Sequence, residues 1–134
     1  MSVEPPGLTV PGIVGLGTDL VEVERFRLAM QRRAALPARL FSPDEQSYAF
    51  RQRDPAKSLA ARFAAKEAVM KALGVGLWKF KFRDVEVVRL PGGRPTIALH
   101  GRAAEMAAAR DVGTWHLSLT HTESTAMAVV IAVR

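Results

Sequence analysis

The stretch from Asp54 to Gly74 constrains this 134-residue chain more than any other. Asp54-Pro55 is a helix start. The aspartate caps free N–H groups, and the proline's fixed φ suits the first helical position, where its missing N–H is not needed. Gly74 stands where a left-handed C-terminal cap belongs. The interior, SLAARFAAKEAVMKAL, is rich in good helix formers. The spacing predicts one helix running to about Leu73. Ala64, Ala65, Ala68, Val69 and Ala72 surround its charged residues, so this helix is expected to pack on several sides.

The other elements arrange themselves around it. Ile13 to Thr18 (IVGLGT) reads as a short buried strand whose glycines permit close approach. Asp19 and Glu22 have capping-box spacing, and a helix is expected over Val21 to Ala35, ended by Pro37. Ser42-Pro43-Asp44-Glu45 starts another helix. Beyond Gly74-Val75-Gly76, a strand is expected over Phe80 to Leu90, then turn chemistry at Pro91 to Pro95 and a strand at Thr96 to His100. An Ala-rich helix over Gly101 to Arg110, a strand at Trp115 to Leu119, a polar turn and a strand at Thr125 to Val133 complete the chain. Hairpin-type links dominate the second half, so the fold class is α+β, a largely antiparallel sheet packed against helices. Residues 1–12, with Pro5, Pro6 and Pro11, read as a flexible leader before a single domain over 13–134.

Composition excludes whole classes of chemistry. There is no cysteine, so disulfides, Cys-bound zinc, iron–sulfur clusters and Cys nucleophiles are out. The start of the chain has no basic, then apolar, signal-peptide pattern, and no window approaches the apolar length of a membrane span. A cytoplasmic protein is expected. The net charge is +6. Arg25, Arg27, Arg32, Arg33 and Arg39 fall between positions 25 and 39 with no acid among them, and the rest of the chain is nearly neutral. Such a patch suits an anionic partner: nucleic acid, a lipid surface or an acidic protein.

Few residues can carry catalysis. Phe63, Glu67 and Lys71 share one face of the long helix. Glu67 and Lys71 have the spacing of a solvated intrahelical ion pair. They also have that of a phosphate site in which the carboxylate holds a divalent metal and the lysine meets an anionic oxygen. Asp19 reads as an N-cap or, at a strand end, as a metal ligand. His121 lies in the turn THTES, whereas His100 and His116 fall in strands, as packing or surface residues. A metal triad of Asp19, Glu67 and His121 is disfavoured because magnesium prefers oxygen and water ligands. A Walker A loop, a Gly-x-Ser-x-Gly elbow and His-Glu-x-x-His are absent, and GLGTD is an incomplete dinucleotide fingerprint.

Three stretches together resemble the holo-acyl-carrier-protein synthase family, the short class of 4′-phosphopantetheinyl transferases: GLGTDLVEVERF (15–26), RFAAKEAVMKALG (62–74) and HLSLTHTESTAMAVVI (116–131). The resemblance covers Ile13 to Arg134. It implies the transferase fold as a single-copy unit, a homotrimer with active sites between subunits, and a place in fatty acid biosynthesis and lipid metabolism. The implied reaction moves 4′-phosphopantetheine from coenzyme A to a serine of an apo acyl carrier protein, leaving adenosine 3′,5′-bisphosphate.

Residue by residue, the resemblance implies that Asp19 and Glu67 hold Mg2+ and that Lys71 contacts phosphate. Gly74, Gly93, Arg94, Pro95 and His121 are implied as coenzyme A contacts, with His121 coming from a different subunit. Glu67 is also a candidate base, and His121 shares the catalytic assignment with Glu67 and Lys71. Arg25, Arg32 and Arg33 are implied as docking residues for the acidic acyl carrier protein, whose charge answers the basic patch. Met70 and Glu123 depart from the family's pattern near the cofactor contacts. A basic nucleic-acid-binding module is the alternative. It accounts for the patch but not for RFAAKEAVMKALG, and the patch lacks the interleaved aromatics of single-strand binders. A lipid-surface helix lacks the Trp or Leu face it needs. Neither nucleic acid nor membrane is therefore expected as a partner.

Overall fold

The computed structural model describes residues 12–77 and 79–134. Strand β1 covers Ile13–Glu22, followed by helices α1 (Val23–Arg32), α2 (Leu36–Leu40), α3 (Pro43–Phe50) and α4 (Pro55–Leu73). A 3-10 turn at Phe82–Asp84 leads into β2 (Val85–Arg89) and β3 (Pro95–Leu99), and then come α5 (Gly101–Ala109), β4 (Thr114–His121) and β5 (Thr125–Val133). An antiparallel sheet runs in the order β1-β5-β4, and β2-β3 is a separate antiparallel hairpin. This is the α+β architecture expected from the sequence. Apart from Gly12, the expected leader lies outside the described residues. No helix among the described residues is long and apolar enough to cross a membrane.

Helix α4 is the centre of the core. The Asp54 side chain accepts from the Lys57 N–H, and Gly74, at φ 69°, closes the helix with its own N–H on the Lys71 carbonyl. Ala126, Ala128, Val130 and Ala132 on alternate positions of β5 are fully buried, and β5 packs on α4. Small residues are needed there because β1 approaches even closer. A Cβ built on Gly15 would collide with the Ala72 carbonyl, and one on Gly17 with the Ala68 carbonyl. The two glycines let the strand backbone lie directly on the helix backbone.

A buried ion pair fixes the other side of α4. Lys66 Nζ donates to Glu45 Oε1 at 2.8 Å, to the Phe82 carbonyl at 3.1 Å and to the Val85 carbonyl. Glu45 also accepts from the Ser42 and Val87 N–H groups. The first of these completes the predicted capping box of α3. Both charges are fully buried, with every strong donor and acceptor engaged, the condition under which such a pair is tolerated. Burial pushes the Lys66 ammonium below its ordinary pKa, against the pull of Glu45.

Three expectations are corrected. Asp19 is not an N-cap. β1 keeps pairing with β5 as far as Glu22 opposite Thr125, so α1 starts at Val23, where Glu22 makes no side-chain cap bond. The helix expected over 21–35 is shorter, Val23–Arg32, and Pro37 does not end it but occupies the first turn of a further helix, α2. The strand expected from Phe80 begins only at Val85, since Phe80 and Phe82 are buried anchors in the preceding loop and turn.

Gly17→Ala is expected to cost at least about 2 kcal/mol, as overpacking against backbone that cannot move aside. A urea unfolding midpoint well below the parent's checks it. A midpoint equal to the parent's would refute the close approach.

Candidate active site

The tight seating of β1 on α4 decides where the acids go. Gly15, Gly17 and Asp19 alternate onto the same face of β1, so the side chain two residues past Gly17 meets the helix. Asp19 Oδ1 accepts a hydrogen bond from Lys71 Nζ at 3.1 Å, and the Thr18 carbonyl accepts another at 2.9 Å. Lys71 therefore pairs with Asp19 across elements rather than with Glu67 along its own helix. Glu67 is one turn back. Its carboxyl is held above the ordinary glutamate range, first by burial and then by the negative charge of Asp19, while Lys71 pulls the other way. Two acids and one ammonium thus meet where a strand and a helix touch, and Gly74 caps the helix just beyond.

Glu67 also lines a groove of about 1600 Å3, which runs past Arg25 and Arg33 of the basic patch and apolar side chains including Phe26 and Phe63. Arg32 is exposed but does not line it. Arg27 is withdrawn from the patch. Its guanidinium makes two 2.8 Å bonds to Asp54 and a third, at 3.0 Å, to Glu24. Those bonds raise the Arg27 pKa and hold Asp54 down at about 2.

The remaining expected site residues are not brought to this place within one chain. His121 sits at the exposed end of β4, opposite Ala126. Its hairpin packs near the start of α4, where Lys57 Nζ reaches Glu123 at 3.2 Å. Lys57 precedes Glu67 by ten positions, about 15 Å along a helix. Gly93 and Arg94 form the tight β2–β3 turn, where the Gly93 N–H donates to the Leu90 carbonyl and the Leu90 N–H to the Arg94 carbonyl, and Pro95 opens β3. None of these three lines the groove. Sequence reading missed the pairing of Lys66 with Glu45. The Glu45 capping position was visible, but nothing in the local pattern says that its carboxylate also takes a lysine 21 positions away.

A model of the 4′-phosphopantetheinyl transferase superfamily matches residues 15–130. The chain belongs to this family. It is 45% identical over 115 residues to holo-[acyl-carrier-protein] synthase of Moorella thermoacetica, covering 86% of this chain and 90% of that one. It is 47% identical over 123 residues to the Streptomyces coelicolor synthase, covering 90% and 97%. The fold superposes on the crystal structure of the Neisseria meningitidis synthase with a TM-score of 0.83, at 29% identity over 91% of this chain and 99% of that one. The Helicobacter pylori synthase, solved in complex with coenzyme A, gives 0.77 at 30% identity, covering 87% and 98%.

The raised pKa of Glu67 means that folding favours its protonated form. In metal-free buffer at pH 7, Glu67→Gln is expected to raise the thermal midpoint. The gain should disappear as the pH falls below about 4, where the carboxyl is protonated in the folded and the unfolded chain alike. A variant less stable than the parent at pH 7 would contradict this electrostatic picture.

Proposed function

We propose that this transferase moves 4′-phosphopantetheine from coenzyme A to a serine of an apo acyl carrier protein, with Asp19, Glu67 and Lys71 carrying the step. The observation behind it is the meeting of two carboxylates and an ammonium at the β1–α4 contact, in a chain of this family. The serine oxygen bonds to the β-phosphorus as the pyrophosphate bridge breaks, and adenosine 3′,5′-bisphosphate leaves. Lys71 has three N–H donors, of which Thr18 and Asp19 engage two, leaving one for a phosphate oxygen. In this reading Glu67 takes the serine's proton, directly or through a water.

The donor set fits magnesium. Two carboxylates supply hard oxygen ligands, and their mutual repulsion, felt in the raised pKa of Glu67, is relieved by a cation. No group of three or more His, Cys, Asp or Glu able to hold a metal is found among the described residues. Magnesium takes one or two carboxylates and completes its shell with phosphates and water. Bound there, Mg2+ would neutralise charge on the transferring phosphoryl group.

The open face of the sheet supports assembly into a homotrimer. Leu16, Thr18 and Leu20 of β1 stand opposite Ile131, Val129 and Met127 of β5 in register, on the side away from α4. Leu16 and Leu20 are 63% and 65% exposed. An apolar face of this kind suits a neighbouring copy. His121, far from Glu67 within its own chain, would then reach the site of an adjacent subunit. Gly74, Gly93, Arg94 and Pro95 are assigned to coenzyme A, and Arg25, Arg32 and Arg33 to the carrier.

Asp19→Ala and Glu67→Ala should each reduce transfer at least about a hundredfold, read as carrier converted per minute by intact mass, with the fold retained by circular dichroism. Transfer at the parental rate in either variant would overturn the assignment. Mixing His121→Ala with Glu67→Ala protomers should restore a fraction of activity if His121 acts across subunits. No restoration would place both residues in one chain's site.

A further inference from the structure

Residues 79–83 read Lys-Phe-Lys-Phe-Arg. Phe80 and Phe82 are buried, and the alternation leaves Lys79, Lys81 and Arg83 exposed. Lys81 and Arg83 line the groove beside Glu67, joined by Arg102 from α5. Arg102 is in the first turn of its helix, where the macrodipole disfavours a cation, so helix stability does not account for it. Among the described residues its one ion-pair partner is Glu105, at 3.7 Å between two well-exposed side chains. Among the described residues Lys81 and Arg83 have no ion-pair partner, and neither do Arg25, Arg33 and Arg39, which line the groove from α1 and α2. Among the described residues Glu22, Glu67 and Asp84 are the only acids lining it, against these six cations.

We propose that Lys81, Arg83 and Arg102 form a second docking bank for the acidic carrier, so that it seats in the groove against both groups of cations rather than on α1 alone. This rests on the function proposed above. Between the two groups the lining is apolar, with Phe26, Phe63, Phe80 and Leu77, the last 54% exposed. Apolar surface framed by cations, five of the six without an ion-pair partner among the described residues, suits an amphipathic helix that carries an apolar stripe and acidic flanks. It suits a phosphate backbone poorly, since phosphates would leave the apolar lining wet. A helix about 10 Å across occupies roughly 1300 Å3 over three turns, within the groove's volume. Glu67 lies on the same groove, so a partner seated there is delivered to the reacting groups.

The test is the triple variant Lys81→Glu/Arg83→Glu/Arg102→Glu of the full chain, with Arg134→Glu as a control cation outside the groove. Two readouts are needed: anisotropy of a labelled carrier whose acceptor serine is replaced by alanine, and steady-state transfer. Carrier Kd and KM should rise about tenfold or more in the triple variant, with a flatter salt dependence. The KM for coenzyme A and kcat at saturating carrier should stay within about twofold of the parent's, and Arg134→Glu should behave as the parent. A triple variant with the parent's carrier Kd overturns the inference. So does a loss of carrier binding accompanied by an equal loss of coenzyme A binding or of thermal stability. If the triple variant loses binding to a duplex oligonucleotide or to anionic vesicles while keeping the carrier, the bank belongs to that partner and the inference falls. A parent that neither binds nor modifies the carrier removes the proposed function itself. A parent that does both, beside an unaffected triple variant, removes this inference alone.

Discussion

The contact of β1 with α4 is the constraint on which the site depends. Without a Cβ at positions 15 and 17, the strand backbone rests on the carbonyls of Ala72 and Ala68. At that distance the carboxylate of Asp19 is within reach of Lys71, and its charge is felt by Glu67. Larger residues at either glycine would lift the strand and separate the acids. On the proposed site assignment, stability and chemistry share one interface, and the small side chains of GLGTD and of β5 serve both.

The charges divide into two populations. Inside, Lys66 and Glu45 are fully paired and hydrogen-bonded, and they tie α3, α4, β2 and the 3-10 turn to one another. At the junction of α1 and α4, Arg27 and Asp54 do similar work with more solvent. The groove is the opposite case, with cations from two parts of the chain left without partners among the described residues. Uncompensated like charge destabilises a folded chain, so its concentration along one concavity is better explained by a partner than by folding.

Much of this was legible in the sequence because the signals are local. The Pro and Gly that bound α4, the capping box of Ser42 and Glu45, and the strand at Thr125 to Val133 each rest on signals within a few residues and appear as expected. Of the two readings of Asp19, the cap fails: the local pattern offers two acids at capping spacing, while the length of β1 is set by its partner β5, more than a hundred residues on. Pro37 was read as a stop when it is a start, since proline does both and only the fold of its neighbours decides. Glu67 and Lys71 were visible as candidates by spacing, but pairing of Lys71 with Asp19 instead of Glu67 requires the tertiary contact. The cations at 81 and 83 were hidden by a strand-like alternation that here exposes charge without forming a strand.

The most direct measurement is the intact mass of an apo acyl carrier protein after incubation with this protein and coenzyme A, with magnesium and again with a chelator. A gain of one phosphopantetheinyl group per carrier with magnesium, and none with chelator, is the predicted result. An unchanged mass in both, or a full gain in the chelator, would contradict metal-assisted transfer at Asp19 and Glu67.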